Sequence, residues 1–78
     1  MKKKIAILGS TGSIGESTLR IIKKDKKNFE ISLLTTNKNI NKIFKQAKEF
    51  KVKNIIISDL NAYNKAQIRF KKSSINIY

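Results

Sequence analysis

The stretch Ile5-Ala6-Ile7-Leu8-Gly9-Ser10-Thr11-Gly12-Ser13-Ile14-Gly15 runs four apolar residues straight into three glycines spaced three apart. Four uninterrupted apolar residues suit a central parallel strand covered on both faces. From Ile14 onward the period lengthens to that of a helix. Ile14, Thr18, Ile21 and Ile22 share a face with Leu19 beside it, while Glu16, Arg20, Lys23 and Lys24 lie mostly elsewhere. Glu16 in the first turn and lysines in the last complement the helix dipole.

Gly9, Gly12 and Gly15 form G-x-x-G-x-x-G, a relative of the fingerprint G-x-G-x-x-G. The first glycine lets the chain turn sharply out of the strand. The second has no side chain, so phosphate oxygens can approach the backbone, and the third lets the helix pack tightly on the sheet. Amides near Gly12, Ser13 and Ile14 lack intrahelical acceptors and can point at an anion, with the hydroxyls of Ser10, Thr11 and Ser13 as further donors. A glycine loop can also merely turn the chain. Its place between a buried strand and an amphipathic helix favours a dinucleotide pyrophosphate site instead. No Gly-Lys-Ser/Thr follows, which excludes a Walker loop.

Working outward, Glu30–Thr35 reads as a second strand and Thr36-Asn37-Lys38-Asn39 as a polar break. Asn39 is placed to cap a helix whose stripe is Ile40, Ile43, Phe44, Ala47 and Phe50. Asn54–Ile57 follows as a third strand. Ser58-Asp59 can cap a third helix through Leu60, Tyr63, Ala66 or Gln67, and Phe70, and Ile75–Tyr78 alternates as a fourth strand. The order β-α-β-α-β-α-β argues for a parallel sheet with right-handed crossovers. The expected class is therefore α/β: the first half of a doubly wound, Rossmann-like sheet, of which a complete example has about six strands. On this reading residues 1–78 are one domain that stops in mid-architecture.

Composition narrows the function classes. Hydrophobic residues make up 40% of the chain, compatible with globular folding. No apolar run approaches the roughly 18 residues of a membrane span. The run after Met-Lys-Lys-Lys is shorter than the roughly 7–15 residues of a secretory core, so a cytoplasmic location is expected. With no Cys, no His and five acidic residues, a metal site or an acid–base pair is hard to build. The net charge of +13 raises nucleic acid as a partner. Its lysines, however, are spread along the whole chain without a stripe of interleaved aromatics, and are read as solvated helix faces and loops.

A second site is expected after the second strand. NAD-preferring domains place Asp or Glu about 20 residues past the glycines to bond the ribose 2′-hydroxyl. Here Thr35-Thr36-Asn37-Lys38-Asn39 carries no carboxylate. Lys38 would attract a 2′-phosphate, and the neighbouring Asn and Thr side chains could donate to it, so NADPH is expected over NADH. A plain polar connecting loop is the alternative.

The run Leu8-Gly9-Ser10-Thr11-Gly12-Ser13-Ile14-Gly15, with Ser17-Thr18-Leu19 behind it, closely resembles the N-terminus of the 1-deoxy-D-xylulose 5-phosphate reductoisomerase family. The resemblance continues through Asn28-Phe29, Leu34, Lys38-Asn39-Ile40 and Glu49-Phe50, and loosens after Asp59. It implies NADPH and a divalent metal, Mg²⁺ or Mn²⁺. The implied reaction rearranges and reduces 1-deoxy-D-xylulose 5-phosphate to 2-C-methyl-D-erythritol 4-phosphate, on the non-mevalonate isoprenoid route. It further implies a cytoplasmic or plastid homodimer, much longer than this chain, with metal carboxylates and sugar-phosphate contacts in a later domain. Carried over by position, the cofactor contacts fall on Thr11, Gly12, Ser13 and Ile14, and on Asn37, Lys38 and Asn39. The family often has glycine where this chain has Asn37, a residue that tolerates left-handed backbone. No catalytic residue is expected on Glu16, Glu30, Glu49 or Asp59, and the chain alone is expected to be inactive. Two rival readings are the N-terminal unit of another NADP-linked epimerase or reductase, and a basic polyanion-binding module.

Overall fold

Four strands and three helices alternate along residues 2–78, the part of the chain that the computed structural model describes. They are β1 (Lys3–Ile7), α1 (Ser13–Lys23), β2 (Phe29–Thr36), α2 (Ile40–Glu49), β3 (Asn54–Ile57), α3 (Leu60–Arg69) and β4 (Asn76–Ile77), with a 3₁₀ turn at Lys26–Asn28. The strands pair in the order β1-β2-β3-β4, every pair parallel. Right-handed crossovers that always step the same way along a sheet keep every helix on one face. Burial agrees: Ile7, Ile31, Leu34, Ile55 and Ile57 are buried, whereas Ala6, Leu8 and Ile56 are exposed. The extents of 35 × 25 × 15 Å leave room for one sheet and one helix layer.

This is one wound half of the expected α/β sheet. The position expected for Ile5–Leu8 is corrected: β1 is an edge strand within this chain, helices cover one of its faces, and Leu8 lies past its end, 76% exposed. An apolar run records what a strand can bury, and does not say which neighbours this chain supplies.

β2 carries a bulge. Ile5 is opposite Ile31 and Ala6 opposite Leu33, which leaves Ser32 unmatched. One extra residue flips the alternation, so Ile31 and Leu34 both face the helices. Ser32 Oγ donates to the Ile5 carbonyl at 3.1 Å.

The helices seat differently from the simplest reading of their apolar positions. α1 buries Gly15, Leu19 and Ile22, while Ile14 and Ile21 face solvent at 82% and 69% exposure. Gly15 contributes no hydrophobic signal, so the stripe read from isoleucines is rotated about the helix. α2 follows expectation at Ile43, Phe44 and Ala47, with Ile40 and Phe50 at the core margin and Gln46 buried in addition. α3 buries the small Ala62 and Ala66 and leaves Leu60 exposed. The Phe70 ring stacks on Phe44 with centroids 3.5 Å apart.

α2 ends in a left-handed residue, Lys51 at φ 56°. The next amide, of Val52, returns to the Ala47 carbonyl at 2.9 Å, the six-to-one bond of a Schellman cap. Glycine takes this backbone without the Cβ penalty. Lys51→Gly is therefore expected to stabilise the fold by about 1 kcal/mol. In urea titrations the midpoint should rise at unchanged slope.

Two ion pairs join α1 to α2: Lys23 with Glu49, at 2.8 Å, and Lys42 with Glu16. The hydrogen bond from Lys23 holds the Glu49 carboxyl below its ordinary pKa; desolvation opposes it, and the charges of Lys23, Lys26 and Lys45 assist. A depressed carboxylate pKa adds stability above the unfolded value, near 4.3, and loses it as pH falls through the folded value. Because both partners are well exposed the effect is small. Glu49→Gln should lower the thermal midpoint slightly at pH 7 and flatten its decline below about pH 4.3.

Candidate functional site

Three β-to-α loops gather at the carboxyl edge of the sheet, and hydrogen bonds knit them together. The Gly9 amide donates to Thr35 Oγ1 at 2.8 Å and the Ser10 amide to the Thr35 carbonyl at 2.9 Å. Thr11 Oγ1 and Thr36 Oγ1 lie 2.7 Å apart. The loop after β2 is tied in turn to the loop after β3. Ser58 and Asp59 amides donate to the Thr36 and Asn37 carbonyls at 3.0 and 3.1 Å, and Ser58 Oγ donates to Asn37 Oδ1 at 2.9 Å.

The openings of the helices differ. α2 and α3 are closed by side chains: Asn39 Oδ1 accepts from the Lys42 amide at 3.2 Å, and Asp59 Oδ2 from the Ala62 amide at 2.9 Å. The N-cap of α1 is Gly12, extended at φ −81° and ψ 172°, with no side chain to close the helix. Its own amide bonds the Gly9 carbonyl at 3.0 Å, and its carbonyl accepts from Glu16 at 2.9 Å. Helix geometry gives the amides of Ser13, Ile14 and Gly15 no intrahelical acceptor. Gly12, Ser13 and Ile14 are all exposed, so side chains leave this opening clear. Partial positive charge from the helix dipole and unpaired donors thus coincide on one open ledge.

Each glycine can be assigned its reason. Gly9 has φ +67°, a conformation that L side chains rarely adopt. At Gly15 an added Cβ would lie 2.4 Å from the Gly9 carbonyl oxygen and 2.6 Å from Ser10 Cα. The third glycine therefore seats α1 on the turn itself, a closer contact than the sheet packing expected of it.

The expected hydroxyl donors separate. Ser13 is exposed at the opening, and Thr11 is half-buried and shares its hydroxyl with Thr36. Ser10 is fully buried and is not an anion donor: its hydroxyl donates to Gln46 Oε1 at 2.8 Å. Gln46 Nε2 donates back to the Ser10 carbonyl at 2.9 Å. Sequence reading missed Gln46, whose polarity inside the apolar stripe of α2 was the available signal.

Asn37, Lys38 and Asn39 are exposed together directly after β2. Asn39 spends its carboxamide oxygen on capping α2. Neither ion pair among the described residues uses Lys38. Lys51 is the one non-glycine with positive φ among the described residues, so Asn37 has ordinary backbone and its left-handed tolerance is not needed. Three of the four acidic residues named above have structural partners: Asp59 caps α3, Glu16 pairs with Lys42 and Glu49 with Lys23. A concavity of about 510 Å³ lies at the opposite edge of the sheet among Lys2, Phe29, Phe50 and Lys51. Its location is unrelated to the loops described here, and an open ledge of amides needs no deep cavity to hold an anion.

A parallel sheet with helices crossing on one face, a glycine turn after β1 and an uncapped α1 define a Rossmann-like unit of the nucleotide-binding α/β class. The family model for 1-deoxy-D-xylulose 5-phosphate reductoisomerase matches residues 5–78, and the chain belongs to that family. The reductoisomerase of Pelagibacter ubique is 53% identical over 76 residues, covering 97% of this chain and 20% of its own length. Among solved structures, the reductoisomerase from Zymomonas mobilis in complex with NADPH superposes with a TM-score of 0.88 at 31% identity, over 99% of this chain and 20% of that one. A DOX-P reductoisomerase in complex with NADPH, fosmidomycin and magnesium gives 0.87 at 31% identity, over 96% and 19%. The chain thus spans about a fifth of the length of the relatives it matches, and corresponds to their N-terminal region. Family membership displaces the reading as another epimerase or reductase.

Proposed function

We propose that residues 1–78 are the N-terminal part of an NADPH-binding domain, with Thr11, Gly12, Ser13 and Ile14 receiving the pyrophosphate and Asn37, Lys38 and Asn39 the 2′-phosphate of the adenosine. One observation carries this reading: α1 alone of the three helices opens on a glycine without a side-chain cap. The hydrogen bonds from Gly9, Ser10 and Thr11 to Thr35 and Thr36 hold the two segments side by side, as one ligand spanning both requires. Lys38 supplies the charge that favours a phosphate over a free ribose hydroxyl.

When bound, NADPH supplies the hydride for the family reaction, the conversion of 1-deoxy-D-xylulose 5-phosphate to 2-C-methyl-D-erythritol 4-phosphate. The part of this chain is to hold and orient the cofactor. Among the described residues no three of His, Cys, Asp and Glu gather. Sugar phosphate, metal and the homodimer partner belong to the full-length family enzyme, which we place in the cytoplasm. No described helix is long and apolar enough to cross a membrane.

The test is titration of the chain with NADPH and NADH under identical conditions. NADPH should bind at least about tenfold more tightly, the yield of one charge-assisted hydrogen bond. Equal affinities, or a preference for NADH, would contradict the assignment of Asn37–Asn39.

A further inference from the structure

The cofactor contacts leave one buried polar side chain without a role. Gln46 sits on the core-facing side of α2, 8% exposed, between the buried Ile43, Phe44 and Ala47. An apolar residue there would extend the stripe without the cost of desolvating a carboxamide. The carboxamide instead reaches off its own helix and matches Ser10 twice: Nε2 donates to the Ser10 carbonyl at 2.9 Å and Oε1 accepts from the Ser10 hydroxyl at 2.8 Å. The Ser10 amide is held by the Thr35 carbonyl at 2.9 Å, and Gly15 of α1 rests against Ser10 Cα on another side. Every polar group of Ser10 is thereby committed, and the turn from Gly9 to Gly12 hangs from it.

We propose that Gln46 is a positioning residue for the cofactor, whose carboxamide locks Ser10 and so holds the Gly9–Gly12 turn and the amides of Ser13 to Gly15 in the geometry that receives the pyrophosphate. The helix that carries Gln46 also begins at Asn39, the end of the 2′-phosphate segment. α2 is thus one rigid strut between the two halves of the cofactor ledge. A glutamate could not substitute, because an ionised carboxylate has no donor for the Ser10 carbonyl. A methionine matches the shape and offers neither partner.

The inference rests on the cofactor reading above, and its test separates the two. Gln46→Met and Ser10→Ala are made in the full 78-residue chain, which is titrated with NADPH and with adenosine 2′-monophosphate while amide chemical shifts are followed. The second probe engages the 2′-phosphate segment without a pyrophosphate. Gln46→Met should weaken NADPH by tenfold or more, on the order expected for a misplaced binding group, and leave adenosine 2′-monophosphate unchanged. Ser10→Ala keeps the bond from Gln46 Nε2 and should show a smaller loss in the same direction. Unchanged NADPH affinity in both variants overturns the role of Gln46 while the cofactor reading stands. An equal loss of both ligands also overturns it, since Gln46 would then serve folding alone. If Gln46→Met does not fold, Ser10→Ala decides by the same two affinities. Failure of the unsubstituted chain to bind NADPH overturns the cofactor reading, and this inference with it.

Discussion

Gly15→Ala is expected to destabilise the chain by about 3 kcal/mol or more and to abolish saturable NADPH binding. In an ordinary helix the same change stabilises by roughly 0.5–1 kcal/mol, because alanine is the better helix former. Here the sign reverses. The new Cβ would meet the Gly9 carbonyl oxygen at 2.4 Å and the Ser10 Cα and carbonyl carbon at 2.6 and 2.8 Å, all backbone atoms with no rotamer to change. Either α1 lifts off the turn or the turn leaves Thr35 and Gln46. Both responses move the amides that the pyrophosphate would use. Folded domains hold only about 0.05–0.15 kcal/mol per residue, so a loss of this size in so short a chain approaches the whole reserve. Gly12→Ala is the informative comparison. Its Cβ meets only the Gly9 oxygen, at an ordinary 3.5 Å. Stability should be nearly retained while a methyl group intrudes on the ledge and weakens NADPH. Denaturant melts of the two variants beside NADPH titrations check both outcomes.

Lys38→Ala should weaken NADPH by roughly 10- to 100-fold and leave NADH unchanged. That range corresponds to about 1.5–3 kcal/mol for a hydrogen bond to a charged group. Lys38 is exposed and belongs to neither ion pair among the described residues, so its removal costs the fold little. Lys38→Glu goes further, placing a carboxylate where NAD-preferring domains carry one, and should reverse the preference. A parallel loss of NADPH and NADH affinity would show that Lys38 acts through general charge and not through the 2′-phosphate.

How much of this was legible in the sequence depended on what each residue displays. Strands were legible because Ile5–Leu8 and Ile55–Ile57 are apolar runs and Glu30–Thr35 carries Ile31, Leu33 and Leu34 ahead of a polar break, and the caps Asn39 and Asp59 stand one residue before their helices. Within Ile75–Tyr78, which alternates as a strand would, Asn76–Ile77 forms the fourth strand. Faces were harder. Gly15, Ala62 and Ala66 mark the buried sides of α1 and α3, yet small residues carry little hydrophobic signal, and Ile14, Ile21 and Leu60 pointed the other way. The bulge at Ser32 was invisible because it depends on register with β1. Strand order was not legible either: alternation fixes parallel pairing and crossover hand, but not on which side a fourth strand adds.

At the site, the glycine turn and the carboxylate-free loop were both readable, since each follows from a local requirement of backbone or charge. Their mutual bonding was not. Thr35, Thr36 and Ser58 connect loops that are 21 to 26 residues apart in the chain, and no local pattern encodes such contacts. Ser10 shows the limit most clearly. A serine beside a phosphate-binding turn reads as a donor to the phosphate, and only the position of α2 reveals that Gln46 has claimed it.

Titrating NADPH into the ¹⁵N-labelled chain and following every backbone amide tests the central claim most directly. The largest shifts are expected at Ser13, Ile14 and Gly15, with a second group at Asn37 to Asn39. Shifts concentrated instead at Phe29, Phe50 and Lys51, around the cleft on the opposite edge of the sheet, or no response at the opening of α1, would contradict it.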